Sequence, residues 1–114
     1  MTIKAAIPVF ENRVSSRLDC SESILLVSIE EGKIIQRQEI HLPHVKPLEK
    51  VQLLVHEGVR VLICGGLTEA HSNMLYGSGI KVIPWVRGEI EDVLTRFVRG
   101  TLSNTQEGES RMSS

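Results

Sequence analysis

Apolar residues recur along this chain with two different periods, and the changes between them mark out its elements. Ile3, Ala5, Ile7 and Val9 alternate with Thr2, Lys4, Ala6 and Pro8, which is the spacing of a strand. Pro8 cannot donate to a ladder, so it predicts an edge position or the end of this strand. The polar stretch ENRVSSRLDCSES, 11 to 23, has only Val14 and Leu18 as strong apolar residues. It reads as a loop with room for a short strand at Arg13 to Ser15. Ile24 to Glu30 is aliphatic and β-branched, Glu31-Gly32 turns the chain, and KIIQRQEIHL returns antiparallel as an outer strand.

The period then lengthens. Leu48, Val51, Leu54 and Val55 fall at helical spacing between Pro47, suited to a first turn, and Gly58, suited to a C-terminal cap. VRVLIC, ending at Cys64, is a nearly continuous apolar run, the mark of a strand covered on both faces. Thr68 caps a second helix, with Ala70 or His71, Met74 and Leu75 inward, ending at Gly77-Ser78-Gly79. IKVIPW is a further buried strand, stopped by Pro84. Ile90, Val93, Leu94, Phe97 and Val98 then fit one helix face without exception, with Glu89, Glu91 and Asp92 at its start and Arg96 and Arg99 at its end. From Thr101 to Ser114 only Leu102 and Met112 are apolar, which predicts a disordered tail. A hairpin followed by alternating helices and strands implies one α/β domain over 1–100, with a mixed sheet and helices on its faces.

Composition narrows the function. Thirteen Lys and Arg against fourteen Asp and Glu give a net charge of -1, so no electrostatic footprint favours nucleic acid or an anionic membrane. The first strand carries no acid, which argues against a two-metal nuclease, and neither a Ser-His-Asp arrangement nor a phosphate-loop sequence is present. The expectation is a protein that is not an enzyme. No apolar run approaches a membrane span, and the expected location is the cytoplasm.

The chemistry gathers in ICGGL and in the polar loop. Cys64, at the carboxyl end of a central strand, is placed either at the crevice where open α/β sheets bind ligands or as a small buried residue closing the strand. Gly65 and Gly66 either leave N–H groups bare for an anion or simply permit a tight turn and close packing. His71 either reaches the same crevice or is satisfied elsewhere. Cys20, in the polar loop, is either an accessible soft ligand or an incidental thiol. His41, His44 and His56 have no partner at a metal spacing and are assigned to solvent.

The segments IPVFENRVSSRLDCSESILLVSIEEGKI, PLEKVQLLVHEGVRVLICGGL and GIKVIPWVRGEIEDVL together resemble the dinitrogenase iron-molybdenum cofactor biosynthesis family. The family includes the NifX and NafY cofactor carriers, the C-terminal domain of NifB and the small orange proteins that hold a molybdenum-copper sulfide cluster. The resemblance implies a three-layer α/β fold with a ribonuclease H-like motif and a five-stranded mixed sheet. It also implies binding or carriage of an iron-sulfur or molybdenum-containing sulfide cluster, exchanged with cluster donor or acceptor proteins. On that reading Cys64, Cys20 and His71 are the candidate metal ligands, with Gly65 and Gly66 lining the site. The alternative is a small regulatory or protein-interaction domain that holds no metal.

Overall fold

The computed structural model describes residues 2–18, 22–42 and 46–100. Its elements are β1 (Thr2–Phe10), β2 (Arg13–Val14), β3 (Ser23–Glu30), β4 (Lys33–His41), α1 (Pro47–His56), β5 (Val61–Ile63), α2 (Glu69–Gly77), β6 (Lys81–Ile83) and α3 (Ile90–Val98). The sheet runs β4-β3-β1-β5-β6, with β2 joined to β1 beside that path. Strands β1, β5 and β6 are parallel, and β3, β4 and β2 run against their neighbours, so the sheet is mixed as expected. The residues after Gly100, expected to form a tail, lie outside the described residues.

Two expectations are corrected and one alternative is decided. The sheet has six strands among the described residues, not five, because Arg13 and Val14 fold back on the end of β1, opposite Phe10 and Val9. The short strand for which the polar loop had room at Arg13 to Ser15 is present over Arg13–Val14, and it is the addition to the expected five. Of the two positions that Pro8 allowed, the edge is ruled out, because Pro8 stands near the end of β1, which is central. Its ladder to β5 engages Ala5 and Ala6 but does not reach Pro8, so the missing N–H of Pro8 interrupts no pairing on that side. The strand β6 is the far edge of the sheet. Val82 and Ile83 are only half-buried there, whereas β5, one place inward, is covered on both faces.

The hairpin forms as its turn residues require, with Glu31 at φ 50° and Gly32 at φ 75° between β3 and β4. In α1 only Val51 and Leu54 of the expected face are buried, and Leu48 and Val55 are exposed. Alternation along the inner strands sends residues to two cores. Ala6, Ile24, Leu26, Leu62 and Cys64 meet Val51, Leu54 and Leu75 on the side of α1 and α2. Ile7, Val9, Val27, Ile29 and Ile63 meet Ile90, Val93 and Leu94 of α3 on the other. The helices thus cover opposite faces of the sheet.

Phe97 closes the apolar face of α3, yet it is half-buried while Leu94 is 1% exposed. Phe97→Ala is therefore expected to cost about 1–2 kcal/mol, below the range for a fully enclosed ring. Denaturant unfolding measures it. A loss above about 3 kcal/mol would show that the ring is enclosed in solution.

Candidate functional site

The parallel strands β1, β5 and β6 all end on one side of the sheet, the side on which open α/β sheets bind ligands. The loops that follow them meet there. Among the described residues, two of the three non-glycine residues with left-handed backbone, Glu11 at φ 58° and Trp85 at φ 63°, stand in these loops, and the third belongs to the β3–β4 turn. Backbone held in that region costs energy and persists where surrounding contacts impose it.

The centre of the arrangement is Cys64-Gly65-Gly66, laced between two other segments. On one side Gly66 N–H donates to Ser16 O at 2.7 Å, and Leu18 N–H donates to Gly66 O at 2.8 Å. On the other side Cys64 N–H donates to Ile83 O at 3.1 Å, Trp85 N–H to Gly65 O at 3.0 Å and Val86 N–H to Cys64 O at 2.9 Å. Gly66 N–H is thus taken by Ser16 and is not bare for an anion. Close approach is what the pair provides. A Cβ on Gly65 would stand 2.5 Å from Ser15 O and 2.6 Å from Ser16 O, both backbone atoms.

Cys64 has no exposed surface and packs among Ala6, Leu18, Leu62 and Leu75. Burial pushes its thiol up to about 12, so at neutral pH it keeps its proton. His71 lies in the first turn of α2 and is 1% exposed. Its N–H donates to Thr68 Oγ1 at 3.2 Å, which caps the helix, and its Nδ1 lies 3.1 Å from the same oxygen. Cys20 falls outside the described residues. Leu18, two residues before it, is buried and fastened to the Gly66 turn. His41 and His56 are exposed, and His44 lies outside the described residues. Among the described residues no three His, Cys, Asp or Glu side chains gather as a metal site.

Two residues of this region did not stand out in the sequence. Lys50 is 2% exposed, and its Nζ donates to Leu18 O at 2.8 Å, which clips the polar loop to α1. The signal for it is position, since Lys50 lies four residues before buried Leu54 and shares its face of the helix. Trp85 is 47% exposed, and its ring lies against Gly66, with Cζ3 3.1 Å from where a Cβ on that glycine would stand. Periodicity offered no signal for Trp85, because it follows the strand that Pro84 ends.

Two pockets, of about 450 and 420 Å³, open beside this end of the sheet and share Val9, Glu11 and Glu39. One is crossed by the Arg37 guanidinium, which donates to both carboxylate oxygens of Glu91 at 2.6 and 3.0 Å and ties β4 to the start of α3. The hydrogen bonds raise Arg37 and lower Glu91 from their ordinary values. Both side chains are exposed, so the pair adds little to stability.

These features define a small α/β protein with a mixed sheet and a laced cysteine-glycine turn at the carboxyl ends of its parallel strands. The chain belongs to the dinitrogenase iron-molybdenum cofactor family, whose family model matches residues 1–100. Solved structures share the fold. The crystal structure of PH0822 has a TM-score of 0.85 at 22% identity, covering 90% of this chain and 95% of that one. A proposed NifB protein from Thermotoga has a TM-score of 0.70 at 24% identity, with 90% and 92% covered. The apo form of the orange protein from Desulfovibrio gigas has a TM-score of 0.71 at 18% identity, also with 90% and 92% covered. No curated protein matches the sequence. Among the described residues no helix is long and apolar enough to cross a membrane.

Proposed function

We propose that this protein binds a metal-sulfur cluster, or a precursor of the iron-molybdenum cofactor, and passes it between donor and acceptor proteins without catalysing a reaction. The family supports the class of cargo, and the similarity to a NifB protein and to an orange protein agrees with it. The sheet order, in which the central β1 is flanked by antiparallel β3 and parallel β5, is the arrangement expected of a ribonuclease H-like motif.

One observation carries the reading. The segment leading to Cys20 is pinned to the Cys64-Gly66 turn by two backbone hydrogen bonds and to α1 by Lys50. The loop up to Leu18 thus runs beside the carboxyl ends of the parallel strands, the ordinary ligand side of such a sheet, and a thiolate donor that follows it in sequence suits a soft metal. Cys64 differs in kind. Its buried thiol must lose a proton before it can hold a metal, so it is the weaker donor at neutral pH. A cargo held by few protein ligands is held loosely, which suits release to an acceptor.

Anaerobic reconstitution with iron and sulfide, or with thiomolybdate and copper, tests this. The folded parent is expected to gain a visible chromophore, and Cys20→Ala to bind the cargo at least about tenfold more weakly, roughly 1.4 kcal/mol. A folded parent that stays colourless and metal-free would overturn the reading. That result would favour the interaction domain, for which the structure offers a surface: exposed Leu48 and Val55 on α1 line a pocket of about 520 Å³ with half-buried Met74.

A further inference from the structure

Trp85 is the one tryptophan of the chain, and its placement does not serve the core. An indole is the largest apolar side chain, and burying it is its usual contribution to a fold. Here 47% of it is left exposed. The backbone at Trp85 adopts φ 63°, a conformation unfavourable for a residue with a Cβ. A side chain that forgoes burial on an unfavourable backbone is held there by its neighbours. Trp85 N–H is fixed to Gly65 O and Val86 N–H to Cys64 O, so the lacing of the cysteine-glycine turn sets the position of the ring. The ring rests on Gly66, with Cζ3 3.1 Å and Cη2 3.5 Å from a notional Cβ there, so any larger residue would push the ring outward by a few tenths of an ångström. The second glycine of the pair therefore has a separate role from the first: Gly65 admits the backbone of Ser15 and Ser16, and Gly66 admits the indole.

We propose that Trp85 is a ligand-contact residue, its half-exposed ring forming an apolar wall at the Gly66 turn that covers one side of a bound sulfide-rich metal cluster. The inference rests on the cluster-binding reading and adds a residue to it. A metal sulfide is soft, polarizable and sensitive to water and oxygen, and an aromatic face against one side of it shields that side and slows their approach. The ring lies outside the core, so removing it changes the site more than the fold.

Anaerobic titration with tetrathiomolybdate and copper, followed by exposure of the loaded protein to air, tests the proposal in the parent and in Trp85→Ala, Trp85→Phe and Tyr76→Ala. Tyr76 is 78% exposed, on α2, and serves as the control for loss of an exposed aromatic. Trp85→Ala is expected to bind about tenfold more weakly and to bleach several-fold faster in air, with Trp85→Phe close to the parent and Tyr76→Ala unchanged. Circular dichroism on each variant establishes that it is folded. A parent that loads and a folded Trp85→Ala that matches it in affinity and bleaching would overturn the role of Trp85 and leave the cluster reading standing. A folded parent that takes up no cluster overturns both.

Discussion

Gly65→Ala is expected to be among the most damaging single substitutions in this domain, with a loss of at least about 3 kcal/mol and a melting temperature lowered by about 12 °C or more. The new methyl would meet Ser15 O at 2.5 Å, Ser16 O at 2.6 Å and Ser16 C at 2.8 Å. All three are backbone atoms and cannot rotate aside. They belong to the segment that Ser15 N–H and Leu18 N–H bind to Pro8 O and Gly66 O, so relief of the clash requires parting that lacing. Gly77→Ala is the control, because nothing lies within 4 Å of its notional Cβ and it sits at the end of α2. It is expected to be neutral or to stabilise slightly, since alanine favours helix. If Gly65→Ala unfolds within about 1 kcal/mol of the parent, the strands do not approach as closely in solution as described.

The second large effect is a loss of stability in alkali caused by Cys64. Burial raises its thiol from the ordinary 9.0 to about 12 in the folded protein. Above pH 9 the unfolded chain releases this proton and the folded one keeps it, so the unfolded state is favoured as pH rises. The contribution of the group is fully present below pH 9 and is lost between pH 9 and about 12, reaching about 4 kcal/mol at full development. Other groups titrate in this range, and the comparison that isolates Cys64 is the parent against Cys64→Ala. The variant is expected to be less stable at pH 7, because it leaves a small gap among Leu18, Leu62 and Leu75, and to lose less than the parent between pH 9 and 11. Parallel pH profiles from urea unfolding would mean that the Cys64 sulfur is open to solvent.

The elements of this protein were legible in its sequence wherever one apolar period ran long enough to be seen. Ile90, Val93 and Leu94 announce α3, Glu31-Gly32 announces the hairpin, and Thr68 announces the start of α2, since each depends on neighbours a few residues away. Membership of the dinitrogenase iron-molybdenum cofactor family was likewise legible in local runs such as ICGGL and GIKVIPW. What the sequence left open was everything decided by distant segments. That β1 lies at the centre and β6 at the edge depends on the order of strands, and no periodicity within a strand encodes its neighbours. Cys64 could be read as a crevice ligand or as core, and only the packing of Leu18 and Leu75 over it makes it a buried thiol. Gly65 and Gly66 look alike in sequence, yet one faces the backbone of Ser15 and Ser16 and the other the ring of Trp85, because loops from two different strands arrive on either side of the turn. The sequence alone determined which segments fold and how each alternates. The tertiary structure alone decided which groups meet, because contacts between residues many positions apart are set by the stacking of whole elements on the sheet.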